Sequence, residues 1–448
     1  MDAILDYAST SPSSSPDAAH RVVAQRVAGQ RRVFAHHFAH QSTREESAFA
    51  FRGYAAKRRR RRGPSESQAL ASAASVIDDL PLIASDEEIA DFLSTESKHK
   101  KMVPLRRQIR QRFIGHDRAV NELQWHPKRP DLFLSASMDA TVRVWQSSVE
   151  KSRRVLMHHS LGVKSVKWSI DGRQIFTGSY DGVACCIDAE TGQVRQELRR
   201  PDIATPSPRI ERILAVCCHP TELNLLLLGT DQGHIYGHDL REKIPHHAVT
   251  TYTKSFADVH DLLFLGDDGQ QFVSSADVMQ CDASSQTLLV WDWRSATLLY
   301  DRLDSNMLAH PCLRAHPTRP YFVAQCRGNY ATLYSSRAPY KCLKGPSIGE
   351  HRPPLRYEGG HEVEGYRIQC SFSRDGMLWA SGDANGRVAV YRTAGKRNLV
   401  DTFQLYGRRS ACISAEFQSA CTESMDSSHA LLTSSSAGDI DLFQQAKP

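Results

Sequence analysis

The residues that most resemble a catalytic set are a histidine, a serine and an aspartate in one stretch of chain. His116 is followed by Ser135 or Ser137, then by Asp139 and Trp145. A histidine between an acid and a hydroxyl is the arrangement of a hydrolase triad. The same groups can instead join neighbouring strands, because an imidazole held by an aspartate and a hydroxyl is fully hydrogen-bonded when buried. We favour this structural role for His116, Ser137, Asp139 and Trp145, because Ser137 and Asp139 flank one turn and no strained strand-to-helix elbow is in view.

Other catalytic motifs are missing or lack their structural context. One G-x-S-x-G match, residues 345–349, lies in a loop insertion and has no helix pattern after it. The sequence has neither a phosphate-binding G-x-x-x-x-G-K-[ST] loop nor a dinucleotide-binding fingerprint. We therefore predict that the chain is not an enzyme and needs no cofactor.

The cysteines and histidines do not form a metal-binding pattern. The pairs Cys185-Cys186 and Cys217-Cys218 fall within β-type runs, so that neighbouring thiols point to opposite faces. No C-x-x-C occurs, and Cys217-Cys218-His219 has no second Cys/His cluster at zinc-site spacing. His36, His37 and His40 could bind a metal loosely, but we favour no specific role for them. We expect core thiols, reduced in the cytosol or nucleus, and no metal.

The elements that position these residues repeat along the chain. Seven segments share an apolar strand with a similar pattern and begin 43 to 57 residues apart. Each is followed by a second strand, a tight polar turn and a third strand, with turn residues that suit positive φ. This spacing is close to that of a four-stranded propeller blade. The strands begin at Val120, Val163, Ile213, Val259, His310, Arg367 and Cys412.

The fold predicted by this repetition is all-β: a seven-bladed WD-repeat β-propeller spanning 102–448. Its last repeat ends near Phe443 and leaves no sequence for an outermost strand. Because an unpaired sheet edge invites aggregation, some other segment must complete that blade. We predict that Arg106–Phe113 pairs with the C-terminal blade and closes the ring.

The first part of the chain differs from the repeats. Residues 1–101 are rich in Ser, Pro, Ala and charged residues, and their apolar periodicity is poor, which predicts a mostly disordered extension. A short helix near 85–94 is the exception, since Ser85 and Glu88 have capping-box spacing. Neither a transmembrane run nor a secretory signal is expected.

A run of six cations interrupts this extension. The whole chain has a net charge of +6, so the run accounts for the excess. Such a run is typical of a nuclear-import signal, and it would also bind polyanions with little sequence preference. We favour nuclear import, with the cytoplasm as the other location, and leave direct RNA contact open. The run consists of Lys57, Arg58, Arg59, Arg60, Arg61 and Arg62.

Two adjacent repeats end their third strand with a D-x-R sequence, and we treat these as candidate partner contacts. They supply Asp239 with Arg241, and Asp292 with Arg294 after Trp291. They resemble the W-D-x-R signature of propellers that serve as substrate receptors of cullin-RING ubiquitin ligases. In a purely structural role, the aspartate caps the turn and the arginine packs on a neighbouring strand.

Residues 102–448 resemble the family of WD repeat-containing protein 25, which is related to the propeller of second-step pre-mRNA splicing factors. The resemblance is carried by FVSSADV with TLLVWDWR, by AHPTRPYFVAQCRGNYATLYS, and by RYEGGHEVEGYRIQCSFSRDGMLWASGDANGRVAVYR, in which His361–Tyr366 is the most specific part. It implies a seven-bladed propeller, a nuclear setting and association with the splicing machinery.

Two functions follow from these observations. The first is a non-enzymatic scaffold for protein–protein interaction in a nuclear pre-mRNA splicing complex, with the chain as a monomeric subunit bound to spliceosome components. The second is a substrate receptor of a cullin-RING ubiquitin ligase, for which the two D-x-R sequences are the evidence.

Overall fold

The computed structural model describes residues 109–444 except for internal gaps, and all of them belong to the unit Ser75–Pro448. The predictions for 1–101, including the helix near 85–94 and the basic run 57–62, lie outside the described residues, as does the motif at 345–349. The gaps fall at 200–209, 243–247, 254–255, 279–286, 302, 304–307, 345–353, 364, 395–397, 408–409 and 420–429.

The described residues form seven antiparallel sheets of four strands each. Blades 1 to 6 take four consecutive strands, in sheet order from first to fourth. Blade 1 contains β2 (Val120–Trp125), β3 (Leu132–Ser137), β4 (Val142–Gln146) and β5 (Arg154–Leu156), and blade 2 contains β6 (Val163–Trp168), β7 (Gln174–Ser179), β8 (Ala184–Asp188) and β9 (Val194–Leu198). Blade 3 contains β10 (Ile213–Cys218), β11 (Leu225–Thr230), β12 (His234–Asp239) and β13 (Thr250–Thr253), and blade 4 contains β14 (Phe256–Leu265), β15 (Gln271–Val278), β16 (Leu288–Asp292) and β17 (Leu298–Tyr300). Blade 5 contains β18 (Cys312–Ala315), β19 (Tyr321–Cys326), β20 (Tyr330–Ser335) and β21 (Arg356–Glu358), and blade 6 contains β22 (Cys370–Phe372), β23 (Leu378–Ser381), β24 (Arg387–Arg392) and β25 (Leu399–Gln404).

Blade 7 joins the two ends of the described chain. It contains β26 (Cys412–Phe417), β27 (Ala430–Ser435), β28 (Ile440–Gln444) and, as its fourth strand, β1 (Ile109–Phe113). β1 runs antiparallel to β28, and Arg112 Nε donates to Asp441 Oδ1 at 2.8 Å. The predicted closure of the ring is confirmed for the strand Ile109–Phe113.

The sheets form a closed ring because the first strand of each contacts the first strands of both neighbours, from β2 through β6, β10, β14, β18 and β22 to β26 and back to β2. These seven strands therefore line the centre. The predicted seven-bladed propeller is confirmed, although β18 and β22 begin at Cys312 and Cys370, later than the predicted His310 and Arg367. The residues before β22 instead form a loop, in which Gln369 N–H donates to Ile413 O of blade 7 at 2.7 Å.

The ring has two faces, each defined by its loops. We call "entry face" the face that carries the loops leading into the first strand of each blade. Because the strands are antiparallel, the turns between the second and third strands lie on the same face. The opposite one is the "exit face". Positive φ occurs at six of the predicted turns, at Ala140 (67°), Gly182 (80°), Gly233 (80°), Asn329 (64°), Gly386 (77°) and Gly438 (106°). The described loops of the entry face are 114–119, 157–162, 210–212, 308–311, 359–363 with 365–369, and 405–407 with 410–411.

Apolar side chains fill the space between neighbouring blades. At the closure, Phe113 of β1 meets Phe133 of β3 edge-on with ring centroids 4.9 Å apart, and Trp145 completes the cluster. All three side chains are almost fully buried. Burial of aromatic surface of this size adds about 1.5–3 kcal/mol per side chain, so the cluster strengthens the joint between blades 7 and 1.

Candidate functional site

The histidine–aspartate–hydroxyl set of blade 1 forms a continuous hydrogen-bond chain through Ser135. His116 Nδ1 lies 2.6 Å from Asp139 Oδ2, and His116 Nε2 lies 2.6 Å from Ser135 Oγ. Trp145 Nε1 donates to the same Ser135 Oγ at 2.8 Å. The prediction of Ser137 for this position is wrong: its Oγ donates to Arg118 O and accepts from Asp139 N–H.

This hydrogen-bond chain joins the strands of blade 1, and its serine hydroxyl is not accessible. Ser135 is fully buried and its oxygen is held between His116 and Trp145. Burial alone would raise the pKa of Asp139, but hydrogen bonds from His116 and Thr141 hold it well below its usual range. The carboxylate therefore remains charged and keeps the imidazole oriented, as a structural role requires.

Blade 2 contains a second set that the sequence analysis did not single out. His159 Nδ1 lies 3.0 Å from Asp181 Oδ2 and Nε2 lies 2.7 Å from Thr177 Oγ1. Ile187 occupies the place that Trp145 has in blade 1, since Ile187 pairs with Ile175 as Trp145 pairs with Phe133. The signal was available, because His159, Thr177 and Asp181 nearly repeat the spacing of His116, Ser135 and Asp139.

The two D-x-R ends lie where third strands leave the sheets on the exit face. Arg241 donates to Asp239 through Nε at 2.9 Å and Nη2 at 2.7 Å, and its side chain is 61% exposed. Asp292 accepts from the backbone N–H and the hydroxyl of Ser295 at 2.7 and 2.6 Å. The aspartates thus order their own turns, while Arg241 and Arg294 stay exposed.

At the centre of the entry face, a cavity of about 440 Å³ opens between the first strands. Cationic, anionic and aromatic side chains from blades 2, 3, 4 and 6 surround it. Its charged lining residues are Lys164, Arg212, Asp231, Asp258 and Arg367, and Tyr180, Tyr366 and Asn121 lie among them.

The motif with the most specific family resemblance supplies one wall of this cavity. His361 Nδ1 lies 2.5 Å from the Tyr391 hydroxyl inside blade 6, which anchors the loop. Val363 N–H donates to Asn329 Oδ1 of blade 5 at 2.8 Å. Tyr366, at 39% exposure, then reaches the cavity beside Arg367, whose Nη2 donates to Asp258 Oδ2 at 2.7 Å.

Deeper along the first strands, buried charges are paired with one another. Glu122 accepts from Lys167 Nζ at 2.5 Å and from Ser165 Oγ at 2.8 Å. Asp261 of blade 4 accepts from Arg314 Nη1 at 2.9 Å, and Arg314 also bonds Gln369 of blade 6. Arg314 Nη2 approaches Glu122 to 3.6 Å, so this network links blades 1, 2, 4, 5 and 6.

Six of the nine cysteines of the described residues are buried, and Cys217, Cys218 and Cys342 are half-buried. Cys185, Cys186, Cys312 and Cys370 are buried, and burial raises the pKa of Cys185 to about 12. Within 109–444, gaps excepted, no group of three or more His, Cys, Asp or Glu side chains could hold a metal ion. The same residues contain no helix long and apolar enough to cross a membrane.

Comparisons with known proteins agree with this architecture. The family model described as "WD domain, G-beta repeat" matches residues 107–146 and 150–188. WD repeat-containing protein 25 of Mus musculus is 32% identical over 309 residues, which are 68% of this chain and 52% of that protein. Pre-mRNA-processing factor 17 is 25% identical in Saccharomyces cerevisiae over 64% of this chain and 57% of that protein, and 24% identical in Homo sapiens over 62% and 43%. The chain spans about half the length of these relatives.

Proposed function

We propose that this chain, a seven-bladed WD-repeat β-propeller similar to WD repeat-containing protein 25, is a non-enzymatic scaffold in a nuclear pre-mRNA splicing complex. The observation that carries the splicing assignment is the similarity to pre-mRNA-processing factor 17 across 62–64% of the chain. The basic run Lys57–Arg62 supports a nuclear setting, because consecutive cations of this kind are typical of import signals.

The entry face has the properties of a protein-binding surface. Among the large apolar side chains of the described residues, three of the most exposed are Met157 at 73%, Ile114 at 71% and Ile210 at 60%. All three lie in entry-face loops at three consecutive blade junctions. Loops held by a rigid scaffold are a usual place for binding residues, and large apolar side chains exposed in them are candidates for contact with a partner.

The experiment is affinity purification of the tagged full-length protein from nuclear extract. We expect pre-mRNA splicing proteins to co-purify, and we expect Ile114→Ser with Met157→Ser and Ile210→Ser to reduce their recovery. Val149→Ser with Val249→Ser is the matched control, because these exit-face side chains are also exposed, at 45% and 58%. Absence of splicing proteins from the wild-type sample would refute the splicing assignment. If both variants lose the same amount of co-purified splicing protein, the proposal that the entry face binds the partner would be refuted.

The second candidate function is that of a substrate receptor of a cullin-RING ubiquitin ligase. The favouring observation is that Arg241 and Arg294 are both exposed at the ends of adjacent third strands. Substituting Arg241→Ala with Arg294→Ala should abolish capture of a cullin-ligase adaptor under this hypothesis and leave splicing partners unaffected. Asp239 pairs with Arg241, and Asp292 accepts hydrogen bonds within its own turn, which fits the structural role of the D-x-R sequences. The scaffold function is therefore the better supported of the two.

A further inference from the structure

One buried lysine at the entry-face cavity has no side-chain partner within the described part of the chain, and its Nζ keeps some exposure to solvent. Lys164, near the start of β6, is only 6% exposed and lines the cavity. No hydrogen bond or ion pair to its side chain occurs among the described residues. A buried lysine without a partner is uncommon, because removing its charge from water costs several kcal/mol.

The other charges that line the cavity are paired. Arg367 Nη2 lies 2.7 Å from Asp258 Oδ2. Arg212 Nε lies 3.8 Å from Asp231 Oδ2, and the backbone N–H of Arg212 donates to Asp231 Oδ1 at 2.9 Å. Two cations therefore face two anions, and Lys164 contributes the one positive charge left over.

We propose that the cavity binds the carboxylate of an aspartate or glutamate side chain from a protein partner, with Lys164 as its counter-ion. A single carboxylate carries the one negative charge that the site lacks. A phosphate dianion, or the successive phosphates of a nucleic-acid backbone, would bring more than one negative charge close to Asp231 and Asp258. The exposed Ile114, Met157 and Ile210 lie on the same face but outside the cavity lining, where the rest of a protein partner would contact them.

The electrostatics around Lys164 agree with this assignment. Burial and, to a smaller extent, the nearby Arg367 together lower the pKa of Lys164 to about 7. Glu122, Asp261 and Cys312, which face it from other first strands, act in the opposite direction without restoring the usual value. A bound carboxylate would stabilise the ammonium form. Binding should therefore be stronger at pH 6 than at pH 8, because only the protonated lysine attracts the ligand.

This inference deepens the proposed scaffold function, and its test needs only purified full-length protein. A phage-displayed library of random short peptides is selected against it, and a chosen peptide is compared with its Asn or Gln counterpart. We expect an acidic residue at one position and a roughly 10- to 100-fold weaker binding to Lys164→Met. Lys151→Met, at an exposed lysine of the exit face, is the control and should bind like the wild type.

Several results would overturn the proposal. They are a selection that yields no peptide, a selection without an acidic residue, and acidic binding that survives Lys164→Met. Stronger binding of a phosphopeptide or a uridine oligonucleotide would also contradict it. If Lys164→Met does not fold, the wild-type protein is acetylated with and without the peptide, and the modified lysines are identified by mass spectrometry. The proposal requires the peptide to protect Lys164 from acetylation and to leave Lys151 reactive. This binding experiment contains no splicing protein, so its result is independent of the splicing assignment. The carboxylate site can be confirmed when the splicing assignment is refuted, and it can be refuted when the splicing assignment is confirmed.

Discussion

Two lysines on the same strand, the buried Lys164 and the half-buried Lys167, have opposite environments. Lys167 Nζ lies 2.5 Å from Glu122 Oε1, and Glu122 more than offsets the effect of burial, so that the pKa of Lys167 is raised. Lys164, three residues earlier, has no such partner, and its pKa is lowered to about 7. The paired charge of Lys167 links neighbouring blades. The unpaired charge of Lys164 lowers the stability of the free protein, and a ligand that supplies a counter-charge can remove this penalty.

The largest expected effect comes from opening the ring. Deletion of 102–114 removes β1, exposes the edge of β28 and takes Phe113 out of the joint between blades 7 and 1. We expect unfolding or aggregation, and both lysines should then titrate near the ordinary value of about 10.4. Thermal unfolding and size-exclusion chromatography provide the measurement. Unchanged melting would contradict the closure described above.

Substituting each lysine in turn tests the comparison directly. Lys167→Met leaves the buried Glu122 without its closest cation, and loss of one partner from a buried pair costs about 3 kcal/mol. Lys164→Met removes an unpaired charge and should leave the free energy of unfolding unchanged or raise it. Denaturant unfolding of both variants at pH 7 measures the difference. Equal destabilisation by the two substitutions would mean that Lys164 has a structural partner.

The hydrogen-bond network of His116, Ser135 and Trp145 should respond less strongly than the lysine pair. Ser135→Ala removes the hydroxyl that both Trp145 Nε1 and His116 Nε2 contact. We expect this loss to lower the free energy of unfolding by about 1–3 kcal/mol. Ser137→Ala is the companion variant, since it leaves the His116–Ser135–Trp145 chain intact. The melting temperature compares them. Retention of wild-type stability by Ser135→Ala would show that the chain contributes little.

The pH dependence of stability should also separate the lysines. Because the pKa of Lys164 is about 7 when folded and about 10.4 when unfolded, the unfolded state binds more protons in that window. Its contribution to stability therefore rises with pH, by at most about 1.4 kcal/mol per unit.

Other groups restrict the useful range of that experiment. Burial raises the pKa of Glu416 to about 7, which affects stability below pH 7. Thiols such as Cys186, with a pKa raised by burial to about 11, act with the opposite sign above about 8.5. The stability difference between the wild type and Lys164→Met should be followed between pH 7 and 8.5, where it should change in favour of the wild type as pH rises. A constant difference would argue against a titrating Lys164.

The sequence predicts the blades better than it predicts the site. Repeat spacing and turn residues identified seven blades, because six of them are local in sequence. The closing strand was predicted from the missing fourth strand of the last repeat. Periodicity could not choose between Ser135 and Ser137, since residues two apart on a strand share one face. The neighbours of Lys164 come from three other blades, at Arg212, Asp258 and Arg367, and only ring closure brings them together.

The most direct test of this account is the pKa of Lys164 in the folded full-length protein. Selective ¹⁵Nζ labelling of lysine allows it to be followed by NMR, with the signal assigned by its loss in Lys164→Arg. We predict a pKa near 7 for Lys164 in the free protein and a pKa raised above the ordinary lysine value for Lys167, with the pKa of Lys164 rising when the acidic peptide binds. A pKa of 10 or above for Lys164 in the free protein would contradict the account, because the group would then already have its counter-charge.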